Sequence, residues 1–183
     1  MSRFPNERDT LKSKFPRMRE EPTDQRLGLP QPPLQKAYAP DALLIDLPSP
    51  REVALGPTDL FELIERRQSR REYSDKPITL QELSFLLWAT QGVKRIVRDG
   101  FATLRTVPSG GSRHAFETYL AVNRVVGLEP GIYRYLALEH KLIHVSSPPD
   151  LPAKVGKACF GQDFAGTAAA VFFWSCIPYR CEW

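Results

Sequence analysis

Arg66-Arg67-Gln68-Ser69-Arg70-Arg71-Glu72-Tyr73 is the stretch on which the reading of this chain turns. Four arginines fall within six residues beside a serine hydroxyl. Cations at a helix C-terminus are favoured by the helix dipole, so the octet reads equally as a solvated helix end or as a site built for an anion. The residues around it bear on that choice.

Upstream, Thr58 or Asp59 is placed to cap a helix, with Glu62 as the reciprocal partner three residues after Asp59. Leu60, Leu63 and Ile64 recur at helical spacing and predict a buried face. The helix would run directly into the octet. If it persisted far enough, Arg67 and Arg71 would share a face. Lys76-Pro77 predicts a turn. Downstream, Thr79 and Glu82 spell a capping box. Leu80, Leu83, Leu86 and Leu87 form an apolar stripe that Trp88 and Ala89 continue, with Gly92 at the C′ position.

Residues 93–107 show little periodicity. Pro108-Ser109-Gly110-Gly111-Ser112-Arg113-His114 follows. Adjacent glycines let a backbone approach a ligand closely and present consecutive N–H groups, although a Ser-Gly-Gly-Ser run also makes an ordinary tight turn. Thr118–Val126, Gly131–Leu136 and Lys141–Val145 read as strands, the last two joined by a turn at Ala137–His140. Asp150 predicts a capped helix to about Ala158. Ala168–Trp174 is continuously apolar, the pattern of a strand covered on both faces.

Before all this lies a different kind of sequence. Residues 1–57 carry ten prolines, from Pro5 to Pro57, which interrupt any long helix or central strand. Two short apolar pieces, Leu27–Leu34 and Leu43–Leu47, can lie as strips across a core or a partner. A free arm is the alternative. The division expected is an arm over 1–57 and one domain over 58–183.

Composition narrows the class. The 183 residues are 42% hydrophobic and 25% charged, ordinary for a soluble globular chain. No apolar run reaches the roughly 18–20 residues a bilayer span requires, and the N-terminus lacks a secretory apolar core, so a cytoplasmic protein with no membrane role is expected. Residues 1–40 hold eight Lys/Arg and five Asp/Glu, so most of the net charge of +4 sits there. Mixed signs argue against a nucleic-acid tail. Cys159, Cys176 and Cys181 have no CxxC spacing, and with three histidines they complete no zinc pattern.

Arg67–Tyr73 resembles the Arg-x-Ser-x-Arg-x-aromatic element of the nitroreductase-like FMN oxidoreductases. Leu29-Pro30-Gln31-Pro32-Pro33, the Thr79–Gly92 helix and Pro108–Glu117 look like the SagB-type dehydrogenase branch, which includes the azoline-to-azole dehydrogenases of peptide natural products. The resemblance implies an α+β fold with an antiparallel-dominated central sheet flanked by helices. It also implies FMN as cofactor, a small-molecule or peptide substrate, and a homodimer with flavin at the interface. Arg67 and Ser69 would hold the phosphate by charge-assisted hydrogen bonds, with Gln68 where a basic residue or His is frequent. Arg71 would oppose the charge that reduction places on the ring. Pro108, Ser109, Gly110, Gly111 and Ser112 would form the other rim, Ser112 standing where classical nitroreductases carry asparagine. Family members continue beyond the point corresponding to Trp183. The expectation is therefore a fold incomplete at the C-terminus, or half of a split enzyme, with catalytic residues beyond Trp183 and none assigned here.

Overall fold

The computed structural model describes residues 22–56 and 59–183. The arm before Pro22, Pro57 and the alternative cap Thr58 lie outside the described residues.

The first helix, α1, spans Leu60–Arg66. Helix α2 (Leu80–Gln91) begins on the predicted capping box: Thr79 Oγ1 accepts from the Glu82 N–H at 3.1 Å, and Glu82 Oε2 accepts from the Thr79 N–H at 2.7 Å. It ends at Gly92, but not through a left-handed residue: φ is −60°. Glycine is required there because a Cβ would overlap the ring and carbonyl of Trp88. Leu83 and Leu87 are fully buried, while Leu86 faces outward at 42% exposure.

The helix packs on a five-stranded antiparallel sheet of order β1-β6-β5-β4-β7. Its strands are β1 (Leu44–Asp46), β4 (Phe116–Val122), β5 (Gly131–Leu136), β6 (Lys141–Ser146) and β7 (Ala170–Cys176). Side-chain alternation makes two cores. Leu120, Val122, Tyr133, Tyr135 and Leu142 meet Leu83 and Leu87 of α2 on one face. On the other, Ala121 meets Leu151 and Val155 of α3 (Leu151–Ala158), with Ala165 of α4 (Asp163–Thr167) beside them. This is the expected α+β arrangement, an antiparallel sheet flanked by helices.

Four expectations need correction. Strand β7 touches both cores, yet it is half-buried to exposed, and Trp174 is 48% exposed. Its far edge has no neighbour among the described residues, and β4 is the strand covered on both faces. Asp150 precedes α3 with a left-handed φ of 55° and makes no side-chain cap. Asp59 does cap α1, its Oδ1 accepting from the Glu62 N–H at 3.0 Å, but the predicted buried face is bare. Leu60, Phe61, Leu63 and Ile64 are all at least half exposed. Finally, the aperiodic 93–107 region contains a bulged hairpin, β2 (Val93–Val97) with β3 (Ala102–Arg105).

Of the two readings of the arm, the described part follows the strip. Gln31 Nε2 donates to Phe101 O at 2.8 Å, the Lys36 N–H donates to Glu117 Oε1 at 2.8 Å, and Gln35 bonds Glu139 and Leu138. A short helix, α5 (Tyr179–Glu182), closes against it, with Trp183 Nε1 donating to Leu29 O at 3.0 Å. The three cysteines are free thiols. Among the described residues no cluster of His, Cys, Asp and Glu could hold a metal, and no helix is long and apolar enough to cross a membrane.

Candidate functional site

The glycine-rich stretch forms a single 3-10 turn over Gly110–Ser112 at the entrance to β4. Its serine hydroxyl works inward: Ser109 Oγ accepts from the His114 N–H at 2.9 Å. The N–H groups of Ser112 and Arg113 close onto the carbonyls of Ser109 and Gly110. From Ser109 to Ser112, the N–H groups of Ser109, Gly110 and Gly111 have no backbone acceptor among the described residues. Gly111, Ser112 and His114 all have φ between 45° and 60°. Two of the three carry side chains, so the turn holds left-handed conformations that only a well-anchored loop sustains.

The anchor is a buried polar layer. His114 is 6% exposed, and its Nε2–H donates to Thr103 O at 3.1 Å. The His114 carbonyl accepts from Arg180 Nη1 at 3.1 Å, while Arg180 Nη2 is ion-paired with the buried Glu117 at 2.5 Å. Arg180 Nε reaches Pro33 O of the strip at 2.9 Å. Arg105, also buried, bonds Gln91 and Leu34 O. Burial, then the nearby Arg105 cation, pushes His114 down to about 4, so it is neutral at pH 7.

Above this layer lies a cleft of about 520 Å³ lined by Thr90, Gln91, Val107, Pro108, Phe116 and Trp174. It lies between the last turn of α2 and the first residues of β4, and its walls are mostly apolar. Thr90 Oγ1 is committed to Leu86 O at 2.8 Å. A size of several hundred Å³ with an apolar lining suits a flat ligand ring.

The octet is elsewhere. Helix α1 stops at Arg66, and Arg67 is its C-cap with extended ψ of 119°. Gln68, Ser69 and Arg71 follow in irregular, exposed backbone, so Arg67 and Arg71 do not share a helical face. Arg71 sits over the Phe164 ring of α4 at 5.9 Å. Arg124 Nη2 ties Ser74 O and Thr167 O together at 3.0 and 2.8 Å. Arg66 pairs with Glu62, and Arg70 is exposed, as solvated residues would be. The octet thus meets the body near Val122 and Ala170, whereas the glycine-rich turn adjoins Phe116 and Cys176 at the other end of the same strand pair. Six residue steps separate those ends, about 20 Å. The structure brings Pro108 to the cleft with Ser109–Ser112 beside it, and leaves Arg67, Gln68, Ser69 and Arg71 apart from them.

Sequence reasoning missed the far wall, Phe116 and Trp174, and the supporting His114, Glu117 and Arg180. The two aromatics lie on neighbouring strands 58 positions apart, a pairing that spacing does not reveal. A larger groove, about 870 Å³, lies elsewhere on α2, between Phe85 and Trp88 and the Ser49–Leu55 segment.

Residues 64–180 match the Nitroreductase family. A protein of Methanocaldococcus jannaschii named as a nitroreductase is 37% identical over 105 residues, which cover 57% of this chain. This chain spans about half of that relative, 48% of its length. Two solved structures described as nitroreductases share the fold at 28% identity. The one from Anabaena variabilis has a TM-score of 0.60 over 75% of this chain and 28% of its own. The one from Ralstonia eutropha has a TM-score of 0.57 over 84% and 68%.

Proposed function

The chain belongs to the nitroreductase family of oxidoreductases, and from that premise we propose that it is an FMN-dependent oxidoreductase whose flavin sites are shared between two copies. The single observation that carries the proposal is the apolar cleft beside the strained glycine-rich turn, with the Gly110 and Gly111 N–H groups uncommitted among the described residues. A planar ring fits such walls, and two backbone donors suit the carbonyl and nitrogen acceptors on its edge.

Bound FMN would supply hydride transfer. The protein's own contribution is to hold, orient and shield. Arg67 and Ser69, both exposed, would bind the phosphate through charge-assisted hydrogen bonds. Arg71 would favour the reduced, more negative ring. Phe116 and Trp174 would exclude water, and neutral His114 would keep the turn in place without adding charge beneath it.

The two half-sites lie at opposite ends of β4, so one chain's octet does not reach its own cleft. A homodimer in which each copy's octet serves the other's cleft removes that difficulty. The substrate class follows from the resemblance of Leu29–Pro33 and Pro108–Glu117 to the SagB-type branch: a peptide azoline, oxidised to the azole with loss of two hydrogens to the flavin. A second reading keeps the fold but requires a different chain to complete the site. Among the described residues, the unpaired edge of β7 and the exposed apolar face of α1 favour it.

The test is direct. The 183-residue chain is mixed with FMN, freed of excess, and scanned for bound flavin absorbance. Replacing Arg67 and Ser69 together by alanine is expected to weaken FMN binding at least about tenfold, the loss of one charge-assisted hydrogen bond or more. No bound flavin in the unaltered chain sinks the proposal. Flavin that binds but exchanges no hydride until a second protein is added selects the second reading.

A further inference from the structure

We propose that the side-chain amide of Gln91 is the hydrogen-bond donor that orients a planar ring in the cleft. The ring it takes turns a carbonyl oxygen or an unprotonated nitrogen toward the end of α2. This rests on the flavin reading of the cleft and adds a side-chain contact to it.

Gln91 is the last residue of α2 and is 9% exposed. Its amide is not free to present either end. Arg105, buried beside it, donates through Nη1 to Gln91 Oε1 at 3.3 Å. The same guanidinium is fixed by two further bonds, from Nε to Thr103 Oγ1 at 3.2 Å and from Nη2 to Leu34 O at 3.4 Å. A guanidinium only donates, so the amide oxygen faces it and the NH2 group faces away. The hydrogen-bond network thus assigns the orientation of this amide.

The NH2 group opens on the cleft. Nε2 has no acceptor among the described residues, yet it is not sealed in. The fully buried side-chain atoms left without a partner are Thr118 Oγ1, Arg124 Nε and Arg134 Nε. Gln91 lines the cleft of about 520 Å³ and not the larger groove beside Phe85. The side chains of Ala89, Val107, Pro108 and Phe116 offer only hydrocarbon, and Thr90 gives its one proton to Leu86 O. The indole N–H of Trp174 belongs to a half-exposed ring that water can serve, whereas the Gln91 amide is nearly buried.

A nearly buried donor without an acceptor is unfavourable, and a ligand acceptor removes that penalty. Arg105 strengthens the donor. Its pull on Oε1 draws electron density from the amide nitrogen and makes the N–H more positive. Because the amide oxygen is already taken, a ring edge bearing its own N–H finds no side-chain acceptor at this point. An oxidised flavin ring has the matching edge, with carbonyl oxygens and nitrogens that carry no hydrogen.

The rival role for Gln91 is to satisfy Arg105 and nothing more. Gln91→Glu separates the two, because a carboxylate still accepts from Arg105 but has no hydrogen to give. The experiment uses the full chain and lumiflavin, the neutral ring without a phosphate, so that the arginine octet does not contribute. In amide NMR spectra of the unaltered chain, one side-chain NH2 pair, absent from Gln91→Glu, is expected to move downfield as lumiflavin is added. Gln91→Glu is expected to bind lumiflavin about tenfold more weakly, with Tm not lowered. Equal affinity at an unlowered Tm overturns the proposal, and so does an NH2 pair that bound lumiflavin leaves unmoved. Should Gln91→Glu fail to fold, the pair is assigned through its proximity to the Arg105 side chain, and its shift decides alone. A parallel titration with FMN separates this contact from the cofactor reading. FMN retained with the Gln91 pair unmoved refutes the contact alone. A pair that answers to lumiflavin in a chain that holds no FMN refutes the FMN assignment alone. A pair that answers to neither ring overturns the contact.

Discussion

Arg180 joins three separate parts of the chain through one guanidinium: Pro33 in the strip, His114 behind the glycine-rich turn and Glu117 on β4. The guanidinium and carboxylate are 3% and 6% exposed, so each is compensated only by the other and by the backbone. Removing one member of such a pair leaves a buried charge, so Arg180→Met is expected to cost about 3–5 kcal/mol in urea denaturation. Adding Glu117→Gln should recover part of it, because the amide carbonyl still accepts from the Lys36 N–H. His114 gives a pH signature of opposite sense to a salt-bridged histidine. Its folded value, about 4, lies below the ordinary 6.5, so between these values the unfolded chain binds more protons. Stability is therefore full above pH 6.5 and lost as pH falls toward 4. His114→Asn, which tolerates the left-handed backbone at φ 45°, should flatten the fall of Tm over that window. A slope unchanged by the substitution would assign the pH dependence to other groups. Neither role was legible in the sequence, where His114 closes the glycine-rich run and nothing singles out Arg180.

What was legible at the scale of elements was local. Thr79 and Glu82 lie three residues apart and satisfy each other, so the start of α2 needed no tertiary information. Thr79→Ala is expected to cost about 1 kcal/mol by chemical denaturation, with little effect on flavin affinity. The strands read over Thr118–Val126, Gly131–Leu136 and Lys141–Val145 came likewise from β-prone residues, alternation and a short turn, although the first ends at Val122 and not at Val126. What failed was whatever depends on distant partners. The β2–β3 hairpin is hidden because Lys94, Arg95 and Arg98 leave no apolar alternation and pairing crosses a bulge. For α1, the period correctly groups Leu60, Leu63 and Ile64 on one face but says nothing of what covers it. For β7, an apolar run gives no sheet order, so a strand touching both cores was read as covered on both faces when, among the described residues, β4 is its one neighbour. The site divides in the same way. Pro108–Ser112 was singled out from two glycines between serines, while its separation from the octet depends on how β4 pairs with β7, which no local spacing shows.

At the scale of the molecule, the strip is tied to the body through its backbone, although none of its described residues is buried. Three buried arginines, Arg105, Arg134 and Arg180, donate to its carbonyls at Leu34, at Lys36 and Ala37, and at Pro33. Glu117 takes its second hydrogen bond from the strip's backbone as well. Strand β1 then carries the chain to the sheet edge beside β6, where Lys141 pairs with Asp46 at 2.8 Å. Deleting residues 1–40 would therefore leave three guanidiniums short of acceptors in places water does not reach freely. Each lost bond to a charged group costs about 1.5–3 kcal/mol, so together they approach the 5–15 kcal/mol that holds an ordinary domain folded. The expected outcome is loss of a cooperative thermal transition, or a Tm lower by tens of degrees, in calorimetry against the full chain. Because Arg180 also holds His114, the milder change Gln35→Ala, which loosens the strip at Leu138 and Glu139 only, should weaken flavin binding less than it lowers Tm. A deleted chain melting like the full one would mean that the arginines find other acceptors and that the strip merely lies on the surface.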